Sequence, residues 1–180
     1  MTLQIIDNAI PQDRFRVLSD VVLSMDFPWY FNTGKVTLDE LDKDNNSFQF
    51  THTFYKDYEW ISSYKRILDP ILTIINPFAI FRIKANLNTI TPTNVQSTYH
   101  VDVDNTSGSK LKSACFYVNT NNGYTAFKSG ETVSSVANRL IIFDSDNYHA
   151  GVTSTDTARR VVINFVYFPV HPEPILQLGI

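Results

Sequence analysis

The apolar positions change their spacing once along the chain. In the first part they recur at helical intervals or gather in aromatic clusters. From about residue 81 they alternate. Leu3, Ile5 and Ile6 read as a short opening strand. Pro11 suits a helix start, and Phe15, Leu18 and Val22, with Leu23 beside them, then share one face. Asp26-Phe27-Pro28-Trp29-Tyr30-Phe31 is aromatic and broken by a proline that has no N–H for a ladder, so it predicts an extended or edge segment. Phe48, Phe50 and Phe54 are spaced for extended structure and read first as core packing, second as a pocket wall. Trp60, Ile61, Tyr64, Ile67, Leu68, Ile71 and Ile75 follow the 3.6 period and predict a helix from Tyr58 to Ile75, kinked or split at Pro70, with its apolar face on a sheet.

Phe81, Ile83, Ala85 and Leu87 alternate with Arg82, Lys84, Asn86 and Asn88, a period of two. Further strands are predicted at Val95–Val103, Leu111–Asn119, Tyr124–Phe127, Thr132–Val136, Arg139–Phe143, a short piece around His149, and Arg160–Phe168. Asp104 to Ser109 is a loop by composition. Helices first and about eight short strands after, joined by polar turns, point to a mainly β fold. The architecture expected is an antiparallel double-stranded β-helix, a cupin-like jelly roll, with N-terminal helices packed on the sheet. One domain is expected over residues 1–180: a helical and aromatic support region over 1–80, the jelly-roll core over 81–168 and a tail over 169–180.

Composition narrows this little. A chain of 180 residues with 43% hydrophobic and 13% aromatic content suits a packed globule. A net charge of −3 and a pI of about 5.7 give no strong nucleic-acid signal. The lone Cys115 has no partner for an internal disulfide and reads as a small core residue, which suits a reducing cytoplasm. The first residues lack a basic stretch followed by an apolar one, so no secretory signal is expected. No apolar run approaches membrane-spanning length, and no membrane partner is expected.

The chemistry concentrates between Tyr99 and Phe168. His100 and Asp102 are two apart, so on a strand they point to one side. His149 ends a later apolar run. Two imidazoles and one carboxylate on one face of a metal leave its opposite face open, the facial-triad pattern of non-haem Fe(II) sites. Asp104 falls in the Gly/Ser loop and Asp146 in an Asp-Asn turn, so both are read as solvated rivals to Asp102. His52 and His171 lie outside the strand pattern and are assigned to structure or solvent. Of the adjacent Arg159 and Arg160, only one can point into a barrel. Arg159 shares its face with Val161, Ile163, Phe165 and Tyr167, which suits packing against helices. Arg160 shares its face with Val162 and Asn164, a mixed set that suits a polar site.

These motifs together resemble the catalytic core of the 2-oxoglutarate/Fe(II)-dependent dioxygenases, nearest to the prolyl-hydroxylase-like group. His100-Val101-Asp102 is followed by a loop and then Cys115-Phe116-Tyr117-Val118-Asn119, similar to the family strand that carries a co-substrate tyrosine. Asn122-Gly123-Tyr124-Thr125-Ala126-Phe127 resembles the family's Gly-Gly-x-x-x-Phe strand, with Tyr124 in place of the second glycine. Arg139 to Asp144 looks like the strand leading to the distal histidine, and His149-Ala150-Gly151 matches that histidine with its small neighbour. The stretch Phe27 to Phe31 is similar to one in short phage-encoded members.

The resemblance implies a hydroxylase that releases succinate and CO2. Its cofactor is Fe(II), held by His100, Asp102 and His149, and its co-substrates are 2-oxoglutarate and O2. Tyr117 and Arg160, with Asn164 four residues on, bind the 2-oxoglutarate. By the same analogy the substrate is a peptide or protein side chain such as proline, and the location is the cytoplasm, the host's if the chain is virally encoded. Two other classes stay open: a cupin-like metal-binding protein or non-oxoglutarate oxygenase on the same barrel, and a non-catalytic interaction domain.

Overall fold

The structure, a computed structural model, describes residues 2–33, 48–103 and 110–170. In chain order the elements are β1 (Gln4–Ile6), α1 (Gln12–Val22), β2 (Tyr30–Asn32), β3 (Gln49–Lys56), β4 (Glu59–Trp60), a 3-10 turn (Ser63–Leu68), α2 (Asp69–Ile75), β5 (Pro77–Thr89), β6 (Lys112–Tyr117), β7 (Tyr124–Phe127), β8 (Thr132–Ser134), β9 (Arg139–Asp144), β10 (His149–Val152) and β11 (Arg159–Pro169). The large sheet runs β1-β9-β6-β11-β5-β3-β2, with β4 attached to β3, and the small sheet runs β10-β7-β8. All pairings are antiparallel. This is the expected jelly roll, and residues before 81 supply β1 to β4 as well as both helices.

The period of two decides what each strand shows to each side. Ile83, Ala85 and Leu87 of β5, Ala114 and Phe116 of β6, and Val161, Ile163, Phe165 and Tyr167 of β11 form one apolar cluster with Phe15, Leu18 and Val22 of α1 and Ile71 and Ile75 of α2. Each buried Val, Leu, Ile or Phe side chain among them contributes about 1.5–3 kcal/mol, so this layer holds the helices on the outer face of the large sheet. The inner face carries a smaller cluster of Cys115, Tyr117, Phe127, Val133, Ile141, Phe143 and Val162 between the two sheets. The polar half of β5 also points inward.

Three predicted elements differ. The helix from Tyr58 begins only at Ser63. Residues 57–60 are instead a hairpin turn into β4, in which Asp57 and Tyr58 take φ of 53° and 66° and Lys56 pairs with Glu59. A two-residue turn with both φ values positive matches the twist of its strands, and that local geometry overrides the helical spacing of Trp60 and Ile61, which stay exposed. At Pro70 the stretch is split, as expected, rather than kinked: the 3-10 turn ends at Leu68 and α2 begins at Asp69. Pro70 sits in the first turn of α2, where its missing N–H costs nothing. Phe81 leaves the core parity of β5 because the β5–β11 register shifts between Val166 and Tyr167, and it is exposed. The predicted strand Val95–Val103 is extended but irregular, with ladder bridges only at Gln96–Val152 and His100–His149.

Candidate metal centre and its pocket

His100 and Asp102 stand on the extended segment that runs beside β10. Two backbone bonds lock it there: His100 N–H donates to the His149 carbonyl at 3.0 Å and His149 N–H to the His100 carbonyl at 2.9 Å. Asp102 N–H reaches the Ser145 carbonyl at 3.0 Å. The ligand atoms of His100, Asp102 and His149 all lie within 4.8 Å of one another, and no other such trio of His, Cys, Asp or Glu converges among the described residues. His149 Nδ1 donates to the Asn147 carbonyl at 3.0 Å and His100 Nδ1 to the Thr98 carbonyl at 3.3 Å. A carbonyl accepts only, so each ring carries its proton on Nδ1 and keeps the Nε2 lone pair free for a metal. His149 is wedged against Phe143 and Phe127, at 4.9 and 6.2 Å between ring centroids.

Asp102 is held as firmly. Arg82 Nη2 donates to its Oδ1 at 3.0 Å, and the Ser113 hydroxyl to its Oδ2 at 2.7 Å. Burial opposes ionisation of this carboxyl, but His149, Arg82, Ser113 and His100 together hold it below the usual carboxylate range. Burial, and then His149, push His100 below the ordinary histidine value, which favours the neutral ring that a metal site needs. Two imidazoles and one anchored carboxylate fit a divalent iron with open positions. Asp146, the rival carboxylate, is exposed in the turn between β9 and β10. Asp104 and His171 lie outside the described residues.

The trio opens onto a pocket of about 260 Å³ between the two sheets. Arg160 lines it and is only 4% exposed, whereas Arg159 points to the other side and donates to the Leu23 carbonyl at the end of α1 at 2.8 Å. Arg160 Nε donates to the Ser135 hydroxyl at 2.9 Å and Nη2 to Thr125 Oγ1 at 3.2 Å. No carboxylate pairs with it among the described residues. Burial pushes its pKa down, so its charge is held at a cost that an incoming anion would offset. Gly123 makes room for its stem: a Cβ there would lie 2.7 Å from Arg160 Cδ and 2.7 Å from the Val152 carbonyl. Asn164 lines the same pocket, its Oδ1 buried without a partner among the described residues. Tyr117 also faces the barrel interior, but its hydroxyl donates to Thr125 Oγ1 at 2.8 Å and burial raises its pKa. Thr125 is therefore the group this pair shows to the pocket.

No family model and no curated protein matches the chain. Solved structures do. A prolyl hydroxylase from Trichoplax adhaerens, in complex with a fragment of the hypoxia inducible factor oxygen degradation domain, superposes with a TM-score of 0.64 at 14% identity over 93% of this chain and 83% of its own. A viral collagen prolyl hydroxylase from Paramecium bursaria Chlorella virus-1, in complex with 2-oxoglutarate, gives 0.56 at 12% identity over 95% and 97%. The chain has the fold of the 2-oxoglutarate/Fe(II) oxygenases. That fold also carries a non-haem α-ketoglutarate-dependent epimerase of nogalamycin biosynthesis, with a TM-score of 0.59 at 12% identity over 99% and 84%. The fold thus hosts more than one reaction, and the side chains of the site must argue for the chemistry.

Several residues of this oxygenase-fold pocket had no sequence signal of their own. Arg82 and Ser113 grip Asp102, and Thr125 and Ser135 hold Arg160. The alternation of β5 separated Arg82, Lys84, Asn86 and Asn88 from the apolar positions, and all four line the pocket. Phe48, Phe50 and Phe54 do not line it, whereas Gln49 of β3 and Asn32 of the neighbouring β2 do.

Proposed function

We propose that this chain is an Fe(II)- and 2-oxoglutarate-dependent oxygenase that hydroxylates a substrate C–H bond with release of succinate and CO2. The observation that carries the reading is one pocket holding both the His100–Asp102–His149 trio and the buried Arg160 without a carboxylate partner. His100 and His149 would bind the metal through Nε2 and Asp102 through the carboxylate that Arg82 and Ser113 orient. Arg160 would take the distal carboxylate of 2-oxoglutarate by a charge-assisted, fork-shaped contact. Thr125, positioned by Tyr117, would add a hydroxyl there, and Asn164 would line the co-substrate's path. When bound, the iron and co-substrate supply the oxidation chemistry with O2, while the protein contributes orientation and exclusion of water.

A barrel that bound only a metal would leave Arg160 without an anion, so nothing in the pocket favours that alternative. The lone buried Cys115 suits a reducing compartment, and we place the reaction in the cytoplasm. No described helix is long and apolar enough to cross a membrane. Peptidyl proline, the substrate expected by resemblance, is the peptide to test first. The test of the reading is calorimetric titration of 2-oxoglutarate into the metal-loaded protein, alongside succinate formation in air. Binding that needs the metal and is lost in Arg160→Met is expected. Metal-loaded protein that neither binds 2-oxoglutarate nor forms succinate would sink it.

A further inference from the structure

The pocket holds more positive charge than the proposed reaction uses. Arg82, Lys84 and Arg160 line it against a single carboxylate, Asp102. Arg82 is spent on Asp102, at 3.0 Å, and Arg160 stands at the far end with Ser135 and Thr125. Lys84 has no hydrogen bond and no ion pair among the described residues. A divalent metal and the 2-oxoglutarate dianion cancel each other, so loading the pocket does not neutralise Lys84. A half-buried ammonium whose one nearby carboxylate, Asp102, already serves Arg82 and Ser113 is held at a cost, and a ligand that brings an anion relieves that cost.

Its place in the sheet limits what can reach it. Lys84 lies two residues from Arg82 on β5, one pleat repeat or about 7 Å along the strand from the residue that holds a metal ligand. Across the ladder it faces Asn164 on β11 and Thr53 on β3. Asn86 is the next pocket-facing residue along β5, and Asn88, Gln49 and Asn32 continue the polar wall toward Arg160, with Val101 and Val162 among the other lining residues. Asn86 Oδ1 is buried there without a hydrogen-bond partner among the described residues, so it calls for a donor from the ligand. The volume of about 260 Å³ is below the roughly 300–1,000 Å³ of pockets for drug-sized ligands.

We propose that the substrate is a small free acid with an N–H or O–H group beside its carboxylate, as in an amino acid, held by Lys84 through the carboxylate and by Asn86 through the donor. This rests on the oxygenase reading of the pocket. A proline side chain within a peptide brings neither group.

The test uses the full chain loaded with Zn(II), which prevents turnover, and with 2-oxoglutarate. Ligand-observed NMR compares free L-amino acids, the same compounds as carboxamides, and a blocked proline peptide. The acids are expected to bind about 10-fold or more tightly than their carboxamides, the worth of one charge-assisted contact. Lys84→Met should abolish that preference and Lys84→Arg should keep part of it, with thermal melts confirming that both variants fold. Equal binding of acids and carboxamides overturns the proposal, as does preferred binding of the peptide. So does a loss of 2-oxoglutarate affinity in Lys84→Met as large as the loss for the acids, since Lys84 would then serve the co-substrate. If the oxygenase reading itself is wrong, metal-loaded wild type does not bind 2-oxoglutarate at all. If only the substrate class is wrong, it binds 2-oxoglutarate and shows no acid preference.

Discussion

Two buried histidines in this molecule do opposite things, and the difference lies in one ring nitrogen. His52 sits among Phe27, Phe54 and Tyr64, with ring centroids 4.4, 4.7 and 6.1 Å away. Both of its nitrogens are taken: Nδ1 donates to the Pro28 carbonyl at 2.8 Å, and Nε2 accepts from the Ser62 hydroxyl at 2.8 Å. His149 is equally buried and also packed against aromatic rings, but only its Nδ1 is taken. Its Nε2 looks at Asp102 Oδ2, 3.8 Å away. A buried imidazole whose two nitrogens are satisfied ties the core together. One that keeps a lone pair beside a carboxylate has a ligand site to offer. The adjacent arginines repeat the contrast. Arg159 spends its charge on the carbonyl end of α1, while Arg160 keeps its charge for the pocket.

The largest expected effect is on metal binding. Anaerobic Fe(II) titration should show a loss of about 100-fold or more in affinity for His149→Ala and Asp102→Ala, because each removes a proposed direct ligand. His52→Gln and Asp146→Ala should stay within about 2-fold of wild type. A His52→Gln loss as deep as that of His149→Ala would break the comparison outright.

Next comes the arginine pair. Arg160→Met should weaken 2-oxoglutarate by roughly 100- to 4,000-fold, since about 3–5 kcal/mol goes with breaking a buried charge pair. Arg159→Met should leave that affinity nearly intact and cost about 0.3–1 kcal/mol of stability by uncapping α1. The reverse ranking would mean that β11 presents the other face to the pocket.

A smaller effect is expected from crowding Arg160. Gly123→Ala places a methyl where Arg160 Cδ and the Val152 carbonyl already stand, at an overpacking cost of about 1–3 kcal/mol. Its 2-oxoglutarate affinity should fall about 10-fold. Gly151→Ala, whose Cβ would meet Arg160 Nη1 at an ordinary 3.6 Å, should be tolerated. Equal behaviour of the two alanine variants would show that Arg160 is not held where the structure puts it.

Tyr117→Phe should cost less again. It deletes the bond to Thr125 rather than a direct contact with the co-substrate, so the 2-oxoglutarate dissociation constant should rise by about 2- to 10-fold, the worth of one neutral hydrogen bond. An effect as large as that of Arg160→Met would make Tyr117 a direct ligand and would blur the distinction between spent and spare polar atoms.

The smallest effect is a pH dependence of stability at His52. Burial lowers its pKa from 6.5, and the Pro28 carbonyl opposes this only in part. The folded state therefore binds fewer protons than the unfolded state, and this contribution rises with pH. It is present above about pH 6.5 and is lost as pH falls through the lowered folded value. Urea midpoints at about pH 5 and about pH 7.5 should differ more for wild type than for His52→Gln. Identical pH responses would mean that the ring is not held neutral in the aromatic cluster.

Much of the fold was legible because period and punctuation are local. The α1 face of Phe15, Leu18 and Val22, the β5 alternation and the opposite faces of Arg159 and Arg160 all follow from the spacing of residues a few positions apart. The helix start at Tyr58 was misread for an equally local reason. A hairpin turn carried by Asp57 and Tyr58 in positive φ leaves no glycine to announce it.

By itself the sequence determined that one face of β5 is polar, that His100 and Asp102 point together, and that only one of two arginines can enter the barrel. Only the tertiary structure decided what those faces meet. Periodicity distinguishes two sides of a strand but does not say whether a polar side looks at water or into a second sheet. Here the small sheet and the segment beside β10 close over it, so Arg82, Lys84, Asn86 and Asn88 line a pocket. The partners that separate His52 from His149, and Arg160 from Arg159, come from Ser62, Asp102, Ser135 and Leu23, residues 10 to 136 positions away. Side-chain chemistry at a site depends on what lies across space, and the chain spells out only what lies along it.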